Sequence, residues 1–268
     1  MLKDITLGQY FPGNSIIHRL DPRTKLIMLV VYIVALFMAS GWVAYGAMLA
    51  FLLTVIKIST IPPKSILKGM KPLVMILVFT GILNLFFTQE GELLIDFWII
   101  RIYTGGLSRA AMMMARILML ITCTFLLTYT TSPIALTDGL EALMGPLKKV
   151  GVPVHELSMM MCIALRFIPT LIEETDKIMC AQKARGADFE NGSLIERAKA
   201  LIPILVPRFI SAFRRADELA TAMECRCYQG GEGRTKMKLL RYHREDFVSF
   251  GIAAALVAAV VLLGSFGL

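Results

Sequence analysis
The chain has 268 residues, of which 56% are hydrophobic and 18% charged, a balance that excludes an ordinary soluble domain and marks a membrane protein. The formal net charge of +8 suggests a nucleic-acid partner at first sight. However, Lys and Arg collect in particular loops, as they do where loops face the cytosol beside anionic lipid, so no nucleic acid is expected.

In chain order, Leu26 to Ile56 is 31 residues without a charge. As one helix it would be about 46 Å long, too long for a single span. Ser40-Gly41 offers a break, which predicts a tight hairpin of two short helices. The first run ends in small residues (Ala39, Ser40, Gly41), as a cleaved signal does, but 25 residues precede it and apolar runs follow at once. It is therefore read as a retained span. A third span is expected after Pro72, over Leu73 to Thr88, and a fourth from about Gly106 to Thr131. The fifth is Phe247 to Leu268, 22 residues without a charge.

The N-terminal segment holds Lys3, Arg19, Arg23 and Lys25, and the loop between spans two and three holds Lys57, Lys64, Lys68 and Lys71. The turn between spans one and two has no basic residue. The loop of residues 89–109 balances Glu90, Glu92 and Asp96 against Arg101 and Arg109. The positive-inside rule then puts the N-terminus in the cytosol and the C-terminus outside. The fold class expected is an all-α membrane protein with about five transmembrane helices, in three sections. Residues 1–131 carry four spans, 132–246 form a helical cytosolic section, and 247–268 are the last span.

The cytosolic section holds 17 Lys and Arg against 15 Asp and Glu, which suits a folded, partner-binding region. Ser132-Pro133 is a helix start with proline at the first position, and Gly151-Val152-Pro153 is a break. Leu157, Met160, Met161, Ala164, Leu165, Ile168, Leu171 and Ile172 recur at helical steps, the pattern of a long amphipathic helix that Gly186 is placed to stop. Ser193 with Glu196 makes a capping box for the next helix. Its stripe runs through Phe209, Ala212, Phe213, Ala216, Leu219, Ala220 and Met223 to a stop at Gln229-Gly230-Gly231. Pro169, Pro203 and Pro207 should bend these helices.

The two helices look like a faint duplicate. Arg166-Phe167-Ile168 is followed 19 residues later by Arg185, and Arg208-Phe209-Ile210 is followed 18 residues later by Arg226. Each arm ends in an arginine between small residues: Ala184-Arg185-Gly186 and Cys225-Arg226-Cys227. Arginine at a helix C-terminus is favoured by the macrodipole without any partner. The small flanks, though, let a partner approach while the guanidinium forks into a carboxylate or carbonyls, which is the pattern of a docking end.

Other polar residues fit structural roles. Arg116, near the start of the fourth span, is expected to snorkel toward the outer interface or to pair inside the bundle, with snorkelling the default. Asn84 is read as inter-helix glue. His18 and His155 flank helix starts, and His243 lies in a basic juxtamembrane patch. The five cysteines (Cys123, Cys162, Cys180, Cys225 and Cys227) form no disulfide-like framework and are read as reduced thiols. Cys225-x-Cys227 is half a metal site with no partner ligand nearby, so no metal is expected. Gly230 to Thr235 lacks the spacing of a phosphate loop. No catalytic constellation emerges, and an enzymatic role is not expected.

Several motifs occur together and in order. Asp21-Pro22-Arg23-Thr24-Lys25-Leu26 leads into the first span, and Thr131-Ser132-Pro133 opens the cytosolic section. Leu165-Arg166-Phe167-Ile168-Pro169, Ala184-Arg185-Gly186, Arg214-Arg215-Ala216-Asp217-Glu218 and Met223-Glu224-Cys225-Arg226-Cys227-Tyr228 follow. Over nearly the whole chain this resembles the transmembrane T-component of energy-coupling factor (ECF) transporters, the family that includes the cobalt-uptake permease CbiQ.

The resemblance implies a non-catalytic scaffold in a vitamin or micronutrient importer of the bacterial plasma membrane. Its partners would be two cytosolic ATP-binding-cassette ATPases and a small membrane S-component that captures substrate. Cofactors would lie elsewhere, with ATP and Mg on the ATPases. Carried over, Ala184, Arg185 and Gly186 and Cys225, Arg226 and Cys227 would be the ATPase-docking ends of coupling helices. Met159, Met160, Met161, Phe167, Phe209 and Phe213 would face the S-component. The departure is that Cys225 and Cys227 replace the usual Ala and Gly, which bears on helix-end geometry at position 227. These non-identical arms favour two different ATPases. The rival expectation is a conventional importer permease that forms the translocation path itself.

Overall fold
The computed structural model describes residues 10–87, 93–97, 100–187, 193–231, 233 and 239–265. Helices dominate: α1 (Ile16–Arg19), α2 (Pro22–Met38), α3 (Trp42–Ser59), α4 (Pro63–Phe87), α5 (Thr104–Thr130), α6 (Pro133–Leu143), α7 (Val154–Ala184), α8 (Leu194–Cys225) and α9 (Arg244–Ser265). A 3-10 turn at Gly145–Val150 precedes α7. Where the sequence suggested only a charged loop, β1 (Leu93–Phe97) and β2 (Ile100–Tyr103) pair antiparallel, with Asp96 opposite Arg101 in the register.

The described residues divide into two compact units, one from 143–238 and the other from 8–142 with 239–268. The second unit is the helical bundle. Its α6 lies with the spans rather than with α7 and α8: a Cβ on Gly139 would sit 3.0 Å from Pro22, so the two helices meet with no room for a side chain. Ser132 Oγ accepts from the Ala135 N–H at 3.3 Å and starts α6, as the Ser-Pro pair predicts.

The long apolar run is a helical hairpin. Gly41 takes φ +93 at the break, a conformation that side chains rarely adopt, and α3 starts one residue later. The core packs Tyr32, Ala35 and Leu36 of α2 against Ala44, Tyr45, Met48 and Leu52 of α3, Met119 of α5 and Val260 of α9. Tyr32 donates to the Met48 carbonyl at 3.3 Å, so its hydroxyl is satisfied inside the bundle. Between α4 and α5 the fit is close, since a Cβ on Gly69 would meet the Tyr129 hydroxyl at 2.9 Å. Tyr129 stacks on Phe125 at 5.8 Å and donates to the Ser65 carbonyl at 3.3 Å.

Five described helices are long and apolar enough to cross a membrane: α3, α4, α5, α7 and α9. These differ from the sequence reading in three places, the first being α4, which opens at Pro63 and carries Pro72 inside it rather than starting after it. α2 has 17 residues, or about 25 Å of helix, and is short for a span. α7 qualifies by composition because its apolar residues concentrate before Pro169, while Glu173, Glu174, Asp176, Lys177 and Lys183 follow. The chain is a multi-pass membrane protein.

Candidate functional site: two arginine-capped helix ends
The first arm, α7, stops in a hydrogen-bonded cap. Arg185 is the C-cap (φ −87, ψ 6) and Gly186 follows at φ +87. The Gly186 N–H donates to the Lys183 carbonyl at 3.0 Å and the Ala187 N–H to the Gln182 carbonyl at 3.0 Å. These are the paired five-to-two and six-to-one bonds of a Schellman motif, which satisfies carbonyls that a helix end otherwise leaves open.

The second arm, α8, stops in the same way. The Cys227 N–H donates to the Glu224 carbonyl at 2.8 Å and the Tyr228 N–H to the Met223 carbonyl at 3.0 Å. Cys227 sits at φ +56, in the left-handed position that Gly186 fills on the first arm. The replacement of glycine by Cys227 therefore leaves the cap geometry in place, at a conformational cost of about 1–2 kcal/mol for a side chain in that region. Ala184, Arg185, Gly186, Cys225, Arg226 and Cys227 are all exposed. Both guanidiniums thus emerge at solvent-facing helix ends, where the C-terminal dipole favours a cation.

The two ends lie at opposite ends of α7. Arg185 follows its last residue. After the second cap the chain turns through Gly230, at φ +88, to Gly231, whose Cβ position would lie 2.6 Å from the ring of His155 in the first turn of α7. From His155 to Arg185 is 30 residues, or about 45 Å of helix at 1.5 Å per residue. Between them the arms are tied at Glu174 of α7, which accepts from Arg215 Nη2 at 2.9 Å and from Ser211 Oγ of α8.

The six apolar candidates are spread along α7 and α8. Phe209 and Phe213 are exposed beside the Glu174 tie, at 61% and 70%. Phe167 and Met159 are half-buried, and Met160 and Met161 are exposed. Met160 lies 14 residues before Glu174, about 21 Å along α7. Ser193 immediately precedes α8, as a cap should. The Glu196 side chain, and Glu232, Arg234 and Thr235 of the glycine-rich stretch, lie outside the described residues.

Two polar expectations are corrected in the bundle. Arg116 does not snorkel: its Nε donates to the Tyr45 hydroxyl at 2.7 Å, and the guanidinium lies 5.4 Å from the Phe37 ring and 5.6 Å from the Tyr45 ring. The buried Tyr45 and the more exposed Phe37 thus hold the half-buried guanidinium against the helices. Asn84 donates to the Thr80 carbonyl of its own helix at 3.0 Å, so the bond described for it is local rather than across helices.

The sequence reading also missed the basic end of the bundle. Asp246, 1% exposed, accepts from the Asp21 N–H at 3.0 Å and the His243 N–H at 2.8 Å, so one carboxylate caps the starts of α2 and α9 together. Lys25, 8% exposed, donates to the carbonyls of Thr130 at 2.9 Å and His18 at 3.3 Å. His18 bonds Ser15 and the Phe11 carbonyl, and burial holds its pKa below the usual histidine value, with Lys25 adding to the depression. Asp246 was identifiable in principle as a carboxylate three residues into the last helix, the position that reaches back to an N-cap. Among the described residues no cluster of three metal-ligating side chains occurs.

Comparison with known proteins agrees with this architecture. Residues 13–237 match the CbiQ family, described as cobalt transport protein. The chain is 51% identical over 263 residues to the energy-coupling factor transporter transmembrane protein EcfT of Ruminiclostridium cellulolyticum, covering 98% of each chain. It is 53% identical over 263 residues to EcfT of Clostridium kluyveri, covering 98% of this chain and 97% of that one. With EcfT of Bacillus subtilis the identity is 48% over 260 residues, 96% of this chain and 98% of the relative. With a family match across both arginine-capped arms and relatives aligned over almost their full length, this chain belongs to the CbiQ family of transporter transmembrane components.

Proposed function
We propose that the chain is the coupling scaffold of an ECF-type importer, passing motion from two cytosolic ATPases to a substrate-binding S-component for uptake of a vitamin or other micronutrient. The observation that carries this reading is the repeated cap. Two exposed arginines occupy equivalent positions in two equivalent Schellman ends, and about 45 Å of α7 separates the places where those ends lie. One chain thus offers two copies of one docking geometry, as two ATPases related by rough symmetry require. Arg185 and Arg226 each enter a groove on one ATPase and bond carboxylates or carbonyls there. The different flanks, Ala and Gly against two cysteines, suit two non-identical ATPases.

The Glu174 tie makes the arms one lever, so a change in spacing between the ATPases moves the exposed apolar residues Met160, Met161, Phe209 and Phe213 against the S-component. Met159 and Phe167 border that surface. ATP and Mg stay on the ATPases and this chain is non-catalytic. The N-terminus is cytosolic and the C-terminus extracellular, with α2 spanning and α7 lying on the cytosolic side because of the charges in its second half.

The test is a pull-down of ATPases from membranes holding the wild type, Arg185→Ala, Arg226→Ala or both changes. The double variant is expected to insert normally and lose the ATPases, with each single variant weakened. Equal recovery by all four refutes the docking role, and no recovery by the wild type refutes the scaffold.

A further inference from the structure
The bundle contains a half-open cavity of about 500 Å³ that the coupling role does not use. Its walls come from α1, α2, α3, α5 and α9, all in one compact unit. The volume lies inside the range of ~300–1,000 Å³ typical of small-molecule sites. Its composition is graded. Lys25, Thr130, Arg244, Glu245 and Ser249 line one end, and away from it Met28, Leu29, Phe51, Val55, Ile252 and Leu256 give an almost wholly apolar wall. On α9 the lining runs from Arg244 to Leu256, 12 residues, or about 18 Å of helix. One leaflet of a hydrocarbon core of about 30 Å is about 15 Å deep. The lining is therefore about as long as one leaflet is deep, and a spanning α9 would set its charged end toward the membrane surface and its apolar end toward the midplane.

The charged end narrows the occupant further. Lys25 is more than nine-tenths buried, and its ammonium has two described acceptors, the Thr130 and His18 carbonyls, for three N–H donors. Asp21 and Asp246 lie near enough to offset part of its charge, but a buried ammonium with a donor to spare, at the head of an apolar slot that Arg244 also lines, still suits an anionic oxygen attached to a hydrocarbon chain. We propose that this cavity is a structural phospholipid site. One acyl chain fills the slot between α2, α3, α5 and α9, and the phosphate or adjoining ester oxygens meet Lys25 and Arg244. Glu245 beside them is placed to accept from an ammonium headgroup, so a zwitterionic phosphatidylethanolamine fits as well as phosphatidylglycerol.

The full chain, purified in a mild detergent and exchanged through several volumes of lipid-free micelles, is assayed by native mass spectrometry for retained phospholipid. It is then re-titrated with phosphatidylglycerol, phosphatidylethanolamine or the phosphate-free diacylglycerol of the same chains. The wild type should keep one phospholipid per chain and rebind both phospholipids in preference to diacylglycerol. Ser249→Trp, which fills the slot, should lose the lipid. Lys25→Met and Arg244→Gln should each weaken it about tenfold, the scale of one lost charge-assisted contact. Met75→Trp, on an 82% exposed outer position of α4, should retain it and serves as the control for general lipid contact. Should Ser249→Trp fail to fold, Arg244→Gln, at an exposed position, reads the same site. Loss of all lipid from the wild type, equal retention by the slot and control variants, or equal rebinding of diacylglycerol would each overturn the proposal.

Discussion
Replacing Asp246 with alanine should loosen the bundle where its first and last long helices meet. The carboxylate is 1% exposed and receives two backbone N–H groups, from Asp21 at 3.0 Å and His243 at 2.8 Å. Asp21 is itself the N-cap of α2, its side chain accepting from the Arg23 N–H at 2.9 Å, so the loss reaches both helix starts. Each hydrogen bond to a charged acceptor is worth about 1.5–3 kcal/mol, and each helix start gains about 0.3–1 kcal/mol from a nearby negative charge. Together the change should destabilise by about 4–8 kcal/mol, reduced toward the lower figure if water enters to solvate the two donors. Asp246→Asn keeps one acceptor but turns an amide N–H₂ toward the second donor, so about half of the loss is expected. Thermal unfolding of the detergent-purified chain measures this directly. A melting temperature for Asp246→Ala within experimental error of the wild type would refute the double-cap assignment. A larger loss for Asn than for Ala would refute its electrostatic basis.

Three further outcomes follow from other sites. Removing the tie between the arms by Glu174→Gln or Arg215→Met should weaken stability by about 0.5–1.5 kcal/mol each, because both partners are partly exposed. A double-mutant cycle on thermal unfolding should return a coupling energy above about 0.5 kcal/mol, and strict additivity would show that the pair does not act together. Gly186→Ala should fray the end of α7 by about 1 kcal/mol while Cys227→Gly should firm the end of α8 by a similar amount. Amide hydrogen exchange at residues 183–187 and 224–228 should move in opposite directions in the two variants. His18, with its pKa lowered by burial, binds fewer protons in the folded state than in the unfolded one. The stability it protects is full above about pH 6.5 and falls as the pH drops below that value. The difference between wild type and His18→Gln in thermal unfolding should therefore change between pH 7.5 and pH 5, and a constant difference would show that His18 does not contribute.

The membrane character and most helix boundaries were legible because they depend on local signals. The 31-residue run broke at Ser40-Gly41, and α6 began at Pro133, where the Ser-Pro start predicted it. Contacts between distant residues were not legible. Asp21 and Asp246 are 225 positions apart, and nothing in either neighbourhood names the other. Arg116 was misjudged for a related reason. Snorkelling is the sensible default for a cation near a helix end, and only the fold shows that Phe37 and Tyr45 converge on it. The Arg214-Arg215 pair stood inside a motif the sequence made visible, yet its partner Glu174 lies 41 positions from Arg215. The hairpin of β1 and β2 escaped because its strands are five and four residues long, too short to show a periodicity.

The helix ends show how a sequence pattern can differ while the geometry stays the same. Ala-Arg-Gly and Cys-Arg-Cys share one letter, and the absence of glycine at 227 put the geometry of the second end in question. The backbone closes the same two hydrogen bonds at both ends, and Cys227 accepts a positive φ to do so. What selects the cap is the pair of bonds to the third- and second-last carbonyls, not the glycine that most often allows it. Glycine lowers the energy of that conformation without being required for it. A cysteine held there, at a penalty of about 1–2 kcal/mol, therefore implies that keeping the shape around Arg226 outweighs the strain. The same reasoning locates the difference between the arms in what flanks each arginine, methyl and hydrogen on one and two thiols on the other, and leaves the placement of the guanidinium alike on both.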